Sequence, residues 1–454
     1  MIGQGELELN EPGIDAELIS RLFGRCDRIL VKKLSNNDRD WARFSNKHQA
    51  GVYVPHEQRD GGFFPELIAK ERDDPDVDEI RERFFTTIWP QFGNQEKQSR
   101  LVHYTSKGQE THLTRLPKDA FAELLPASFL AMGRMERDSQ YGYECLSIDS
   151  ASEEADLLAE MLDLDADFLI GVYDPAQIKD QEREKVLDFA EQVIAAWMAG
   201  QIDLFARDNA AMPVTAELAR MARETFLKTK RMAQLNPFEM TAPGDALREI
   251  SRSIEWEMFR EIQRRERSVD LIRTVLGDEP RDINASEIIR ALIDKFQAVD
   301  ALMLSASQQR KSRAGYSYEH HIEAMLAGGD IPFEKQVIIA SRKRPDFILP
   351  SLAVFQKPDD HDHPGLILSA KTTLRERWKQ VEREKGKQEL FLTTVDENVA
   401  GNAIEDMASF GVYLVIPESL KVSATSEYEG QKNVLSFKEF CDSVVSPRMP
   451  AWVN

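Results

Sequence analysis

The sequence predicts a multidomain chain. An N-terminal β-rich region of barrel type is followed by a helical connector and by a C-terminal region that ends in an α/β layer with a central mixed sheet flanked by helices. Three observations predict this. The 454 residues exceed what one core organises, since single cores stop growing well below this length. Up to about residue 178, short apolar runs rich in β-branched and aromatic residues are separated by Gly, Pro, Asn and Asp. From about residue 336, strand patterns alternate with helix patterns, the signature of an α/β layer.

In the first region (1–178) the strand-like runs are Ile29–Val31, Gly51–Val54, Leu101–Tyr104 and Asp167–Tyr173, with a helix expected over Glu153–Met161. Residues 179–212 form the connector, helical with long polar stretches and stopped at Pro213. The remainder (213–454) opens with helices over Thr215–Lys230, Ala246–Arg265 and Ala285–Ser305. Asp245 is read as an N-cap, and Ile254, Met258 and Ile262 as a buried stripe. Strands follow at Gln336–Ile339, Asp346–Leu349 and Leu366–Ala370, then a helix at Leu374–Lys385, a strand at Leu390–Val395, a helix at Ala403–Phe410 and a strand at Val412–Ile416. No repeat or low-complexity tract interrupts this order.

Apolar residues make up 42% of the chain and charged residues 30%, the balance of a folded globular protein. The formal charge of −20 excludes a protein that coats nucleic acid nonspecifically, because phosphate contacts need Lys and Arg. Basic residues nevertheless cluster at Arg310-Lys311-Ser312-Arg313, at Arg342-Lys343-Arg344, and at Arg375, Arg377, Lys379 and Arg383. Each cluster reads equally as a solvated face. Cys26, Cys145 and Cys441 are far apart and odd in number, so neither a disulfide framework nor a zinc site is expected. The N-terminus lacks a signal pattern and no apolar run approaches membrane-spanning length, which points to an intracellular protein without a membrane partner.

The chemistry concentrates at Pro345-Asp346 on one strand, at Ser369-Ala370-Lys371 at the end of another, and at Glu384 on the helix that follows. Metal-dependent phosphodiester hydrolysis needs carboxylates for Mg²⁺ and a cation beside the attacking water and the scissile phosphate. Asp346 and Lys371 would share one end of the sheet, and the helix would return Glu384 towards them. Standing alone, this motif also arises by chance. Arg375-Glu376-Arg377 lies just past Lys371; paired Arg and Glu suit a G·C pair, and equally suit an exposed helix with internal ion pairs. Glu319-His320-His321-Ile322-Glu323 is not the H-E-x-x-H of zinc proteases, and His361-Asp362-His363 sits in a polar stretch; both read as incidental.

At greater length the sequence resembles the EcoRII restriction endonuclease family and its smaller relatives that cut CCNGG or CCWGG sites. The resemblance is carried by Arg310-Lys311-Ser312-Arg313-Ala314-Gly315, Glu319, Lys343-Arg344-Pro345-Asp346-Phe347, Ala370-Lys371-Thr372-Thr373, Arg377-Trp378 and Glu384, in order and at near-identical spacing. Upstream, Val31-Lys32-Lys33-Leu34-Ser35-Asn36-Asn37-Asp38 and His48-Gln49-Ala50-Gly51-Val52-Tyr53-Val54-Pro55 resemble the start of that family's effector domain, a DNA-binding pseudobarrel. The resemblance implies a C-terminal restriction-endonuclease-like domain of the PD-(D/E)XK type. Asp346 and Glu384 would be its metal carboxylates, Lys371 the catalytic lysine and Glu319 a further acidic position. It also implies that Arg375, Glu376, Arg377 and Arg252 contact bases, and that Trp256, on the helical face of Arg252, stacks on a flipped base. Plain core packing stays open for Trp256. Lys33, His48, Tyr53, His112 and Arg115 would bind effector DNA.

The same resemblance implies a Mg²⁺-dependent homodimer in a bacterial cytoplasm, acting on double-stranded DNA, with a cognate DNA methyltransferase in the host that is not a stable subunit. Two-fold symmetry suits a palindrome. The N-terminal domain would bind a second DNA copy and relieve autoinhibition. The stretch Gln109–Arg115 is shorter and less basic than that family's effector loop, which leaves in view an N-terminal domain that reads modified or different DNA; a separate alternative is a DNA-binding protein without catalysis, in which the carboxylates are structural.

Overall fold

The computed structural model describes residues 14–44, 51–70, 79–105, 108, 110–137, 140–339, 344–356, 365–374 and 389–452. The chain divides into two compact units. The first is Met1–Gln181 with the short segments Glu397–Ala400 and Ser423–Glu427, and the second is the rest. Among the described residues no helix is long and apolar enough to cross a membrane.

Among the described residues the first unit is built on nine strands: β1 (Arg28–Lys33), β2 (Val52–Val54), β3 (Ile68–Ala69), β4 (Ile80–Trp89), β5 (Gln95–Tyr104), β6 (Thr111–Thr114), β7 (Phe129–Arg137), β8 (Gln140–Ile148) and β9 (Ile170–Tyr173). They pair in the order β2-β6-β5-β4-β8-β7-β1-β9, with β3 beside β4. All pairs are antiparallel except β4 with β8. The period of two along a strand divides β1 between two cores. Leu30 joins Trp41, Phe63, Trp89 and Tyr143 on one side, while Ile29 and Val31 join Leu22 and Leu158 on the other. Leu22 lies on helix α1 (Ile14–Arg25) and Leu158 on α3 (Glu153–Met161), so these two helices cover that second face. Helix α2 (Asn36–Arg43) begins with a capping box in which the Ser35 hydroxyl accepts from the Asp38 N–H and the Asp38 carboxylate accepts from the Ser35 N–H.

The second unit opens with α4 (Pro175–Met198, largely in this unit) and α5 (Ile202–Asn209), which occupy the expected connector. They are packed rather than extended: Val193, Trp197, Ile202 and Ala210 share a core with Val269. Then come α6 (Thr215–Lys230), α7 (Pro243–Glu249), a π-helical turn (Ile250–Ile254), α8 (Glu255–Leu276), α9 (Ala285–Asp294) and α10 (Phe296–Gly328). The sheet runs β10 (Glu334–Lys335), β11 (Phe347–Leu349), β12 (Leu366–Ala370), β13 (Glu389–Thr393), β14 (Val412–Ile416) and β15 (Val434–Ser436), in that order. It is antiparallel from β10 to β12 and parallel from β12 to β15, the mixed sheet that the alternating pattern predicts. β12 is buried at every residue, as a strand covered on both faces must be. Helix α11 (Gly401–Ser409) links β13 to β14.

Four local expectations are corrected. The strand expected over Gln336–Ile339 lies two residues earlier and is shorter, because Gln336 takes a positive φ of 53° that ends it. The helix expected over Ala285–Ser305 breaks at Lys295 and continues to Gly328. The helix expected from Ala246 begins at Pro243 and crosses the π-helical turn. Asp245 is not an N-cap; it lies in the first turn of α7, and its carboxylate accepts from the Ser419 N–H (2.9 Å) and hydroxyl (2.6 Å). The expected helix Leu374–Lys385 and the His361–His363 stretch fall mostly or wholly outside the described residues.

The end of α10 is packed against backbone. A Cβ added at Gly328 would lie 2.7 Å from the Leu235 carbonyl carbon, which a side-chain rotation cannot relieve. Gly328→Ala is expected to destabilise the protein by about 1–3 kcal/mol, read as a lower urea midpoint with an unchanged slope.

Candidate active site

Because β11 and β12 run antiparallel, the start of one meets the end of the other, and Asp346 and Lys371 flank that meeting point. The Asp346 Oδ2 accepts from the Lys371 ammonium (2.8 Å) and from the Ala370 N–H (2.8 Å). Among the described residues both of these hydrogen bonds fall on Oδ2. The Lys371 N–H donates to the Thr393 carbonyl (3.0 Å), which fixes the residue against β13. The Thr393 hydroxyl in turn pairs with the buried Tyr318 hydroxyl of α10 (2.9 Å). Tyr318 and Thr393 are 75 residues apart, and no local pattern signals that bond.

Glu319, next to Tyr318, is half-buried, and its carboxyl is raised from the usual range, first by burial and then by the Asp346 charge. The Lys371 ammonium opposes that rise, and the Gln336 amide donates to Glu319 at 3.4 Å. Glu319, Asp346 and Lys371 thus interact as one electrostatic cluster. Glu384, Arg375, Glu376 and Arg377 lie outside the described residues. Among the described residues no group of three His, Cys, Asp or Glu gathers for a metal. The chemistry of the donor set still fits a hard cation: the Asp346 carboxylate, a second acidic group at Glu319, and a lysine alongside.

Arg252 sits exposed in the π-helical turn, and Trp256 is half-buried two residues into α8 with its ring stacked on Phe259 (5.9 Å between centroids, 22° between planes). Arg313 from the first basic cluster donates to the Pro213 carbonyl (2.7 Å) and lies over the same Phe259 ring, so it is not a free surface cation. In the His-rich stretch, His321 is fully buried, Glu323 pairs with Lys335 (2.7 Å), and His320 lies beside Glu323.

The first unit brings part of the expected effector set together. Tyr53 and His112 are directly opposite on β2 and β6, with rings 6.0 Å apart edge to face. Both main-chain polar groups of Tyr53 are held: its N–H donates to Asp38 (2.7 Å) and its carbonyl accepts from the Lys32 ammonium, which also pairs with Asp38 (2.7 Å). Arg115 follows β6, exposed, with its guanidinium 4.9 Å over the Phe84 ring. Lys33 is placed differently. It is 4% exposed, and its ammonium donates to the Ala166 carbonyl (3.0 Å) and pairs with Glu397 (2.9 Å), so the side chain expected to meet DNA is instead turned inward. His48 lies outside the described residues.

Residues 280–441 match the family model described as EcoRII C terminal. The chain is 24% identical over 408 residues to the type II restriction enzyme EcoRII of Escherichia coli, covering 86% of this chain and 88% of that protein. It is 28% identical over 184 residues to the type II restriction enzyme SsoII of Shigella sonnei, covering 37% of this chain and 58% of that one. Among solved structures, metal-depleted Ecl18kI in complex with uncleaved, modified DNA aligns at a TM-score of 0.45 and 21% identity over 59% of this chain and 86% of that one. At that score the identification rests on the sequence matches. They support a class, the type II restriction endonucleases, which are site-specific DNA nucleases. Within it, the C-terminal region is similar to the EcoRII C-terminal domain, and most of the chain's length is similar to EcoRII.

Glu319 gives a pH signature. Its folded-state pKa lies above the unfolded one, so its contribution to stability is full below the unfolded pKa and is lost as pH rises through the folded value. Glu319→Gln is therefore expected to be more stable than wild type at neutral pH in chelator, and the gap should close at pH about 4. Urea midpoints at the two pH values check this.

Proposed function

We propose that this chain is a Mg²⁺-dependent, homodimeric type II restriction endonuclease that hydrolyses double-stranded DNA at a short palindrome with a CC/GG core of the CCWGG or CCNGG class. The observation that carries this reading is the Asp346–Lys371 pair at the meeting of β11 and β12, inside the region matched to the EcoRII C-terminal domain. Asp346 and Glu384 would hold Mg²⁺, which when bound supplies Lewis acidity and an activated water. Lys371 would hold the attacking water and the non-bridging phosphate oxygen, and would offset charge on the pentavalent phosphorus as that builds. Glu319, whose carboxyl burial raises above its usual range, would take up a proton from the water. Arg375, Glu376, Arg377 and Arg252 would read the C·G pairs, and Trp256 would stack on a flipped central base.

The first unit is read as an effector domain that binds a second DNA copy and relieves autoinhibition. A second reading, in which it binds modified or different DNA, is favoured by two observations. Lys33 is buried, and residues 1–178 carry 34 Asp and Glu against 20 Lys and Arg. Binding without catalysis is disfavoured, because Asp346, Lys371 and Glu384 are all retained.

A plasmid digest with Mg²⁺, wild type beside Lys371→Ala, tests the reaction once the cut ends are sequenced. Wild type should give discrete fragments ending at a CC/GG-cored palindrome, and the variant should be slower by about 10²–10³-fold, the scale for removing one charge-stabilising group. No cleavage of unmodified DNA would contradict the proposal and move the weight to the modified-DNA reading. For the effector role, a short duplex carrying the site, added in trans, should speed cleavage of a one-site plasmid; an unchanged rate contradicts it.

A further inference from the structure

A buried polar chain lies beside the candidate active site, and the proposed reaction uses none of its members. Glu255, the first residue of α8, is 6% exposed, and both of its carboxylate oxygens are engaged. Oε1 accepts from the Ser317 hydroxyl, and Oε2 lies 2.5 Å from Nε2 of the fully buried His321. On the other side of that ring, Nδ1 lies 3.3 Å from an Arg223 guanidinium nitrogen. A guanidinium only donates, so Nδ1 must accept, and the ring hydrogen sits on Nε2 and is donated to Glu255. The result is a neutral imidazole bridging a cation and an anion, with a hydroxyl completing the carboxylate. Burial, which holds His321 below its usual range, acts in the same direction.

The placement of this chain is specific. The Glu255 N–H closes the π-helical turn by donating to the Ile250 carbonyl, so Glu255 ends the turn that carries Arg252 and is followed directly by Trp256. Ser317 and His321 stand two residues either side of Glu319 on α10. One carboxylate therefore ties the helix of the candidate base-contacting residues to the helix of a candidate catalytic residue, at the positions beside each. Buried ion pairs are often no more stabilising than packed apolar groups. Apolar groups of the same size would fill the space without fixing the two helices in one register.

We propose that Glu255, His321, Ser317 and Arg223 are positioning residues that hold Trp256 and Arg252 in register with Glu319; the inference rests on the nuclease reading above. The test is single-turnover cleavage of a CC/GG-cored duplex by the full chain, with DNA affinity measured in chelator. His321→Leu should lower the cleavage constant by about 10- to 100-fold, the scale of a misplaced reacting group, a larger factor than the accompanying rise in DNA Kd. His321→Gln, whose amide can both donate to Glu255 and accept from Arg223, should restore most of the rate. Should His321→Leu fail to fold, Ser317→Ala removes one donor only and should still slow cleavage. A folded His321→Leu or Ser317→Ala that cuts at the wild-type rate overturns the inference, as does a Gln variant as slow as Leu. If wild type itself cuts nothing, the nuclease reading fails and this role falls with it.

Discussion

The site depends on one antiparallel junction. Metal-dependent hydrolysis needs an anion and a cation side by side, and two such side chains stay together only where the backbone holds them. Here β11 begins where β12 ends, so Asp346 and Lys371 meet without a loop having to be ordered for the purpose. The Ala370 N–H fixes the carboxylate from the main chain, and the Thr393 carbonyl fixes the lysine backbone from the next strand. A mixed sheet serves this better than a wholly parallel one. In a parallel sheet the starts of adjacent strands lie together, and a residue at the start of one strand is a strand length away from the end of its neighbour.

The helices above the sheet set the remaining geometry. Tyr318 ties α10 to β13 through Thr393, and the core of the second unit joins α6, α7 and α10 to the sheet through Phe226, Leu247, Ile322 and Leu368. Polar and apolar packing thus act on one face of the helix, since Tyr318 and Ile322 are four residues apart and share that core. In the first unit, Asp38 has a comparable role: it completes the capping box of α2, pairs with Lys32 and accepts from the Tyr53 N–H, so a short sequence motif sets the edge strand that presents Tyr53 beside His112.

Legibility in the sequence followed the range of the interactions. Thr215–Lys230 and Glu153–Met161 form helices with the expected bounds, and Leu366–Ala370 and Val412–Ile416 form the expected strands, because period and local breakers decide them. β4, β7 and β8 were not legible. Ile80-Arg81-Glu82-Arg83 opens one with charge, and Gly133 and Gly142 interrupt the others, so pairing across the sheet rather than local pattern makes them strands. Asp346 and Lys371 could be read from their strand-end positions. Lys33 could not, because the partner that draws it inward, Glu397, lies 364 residues away. Glu255 and His321 were unreadable for the same reason; a glutamate and a histidine on two separate helices give no periodic signal.

In the proposed reaction, hydrolysis at this end of the sheet depends on Asp346, held by Ala370 and Lys371. This dependence is tested most directly by rapid-quench cleavage of a short CC/GG-cored duplex at saturating protein and Mg²⁺, comparing wild type with Asp346→Asn. Asparagine keeps the shape and the hydrogen bond from Ala370 and removes the charge. The account predicts a loss of about 10³-fold, with DNA binding retained in chelator. An Asp346→Asn protein that cuts at the wild-type rate would contradict it.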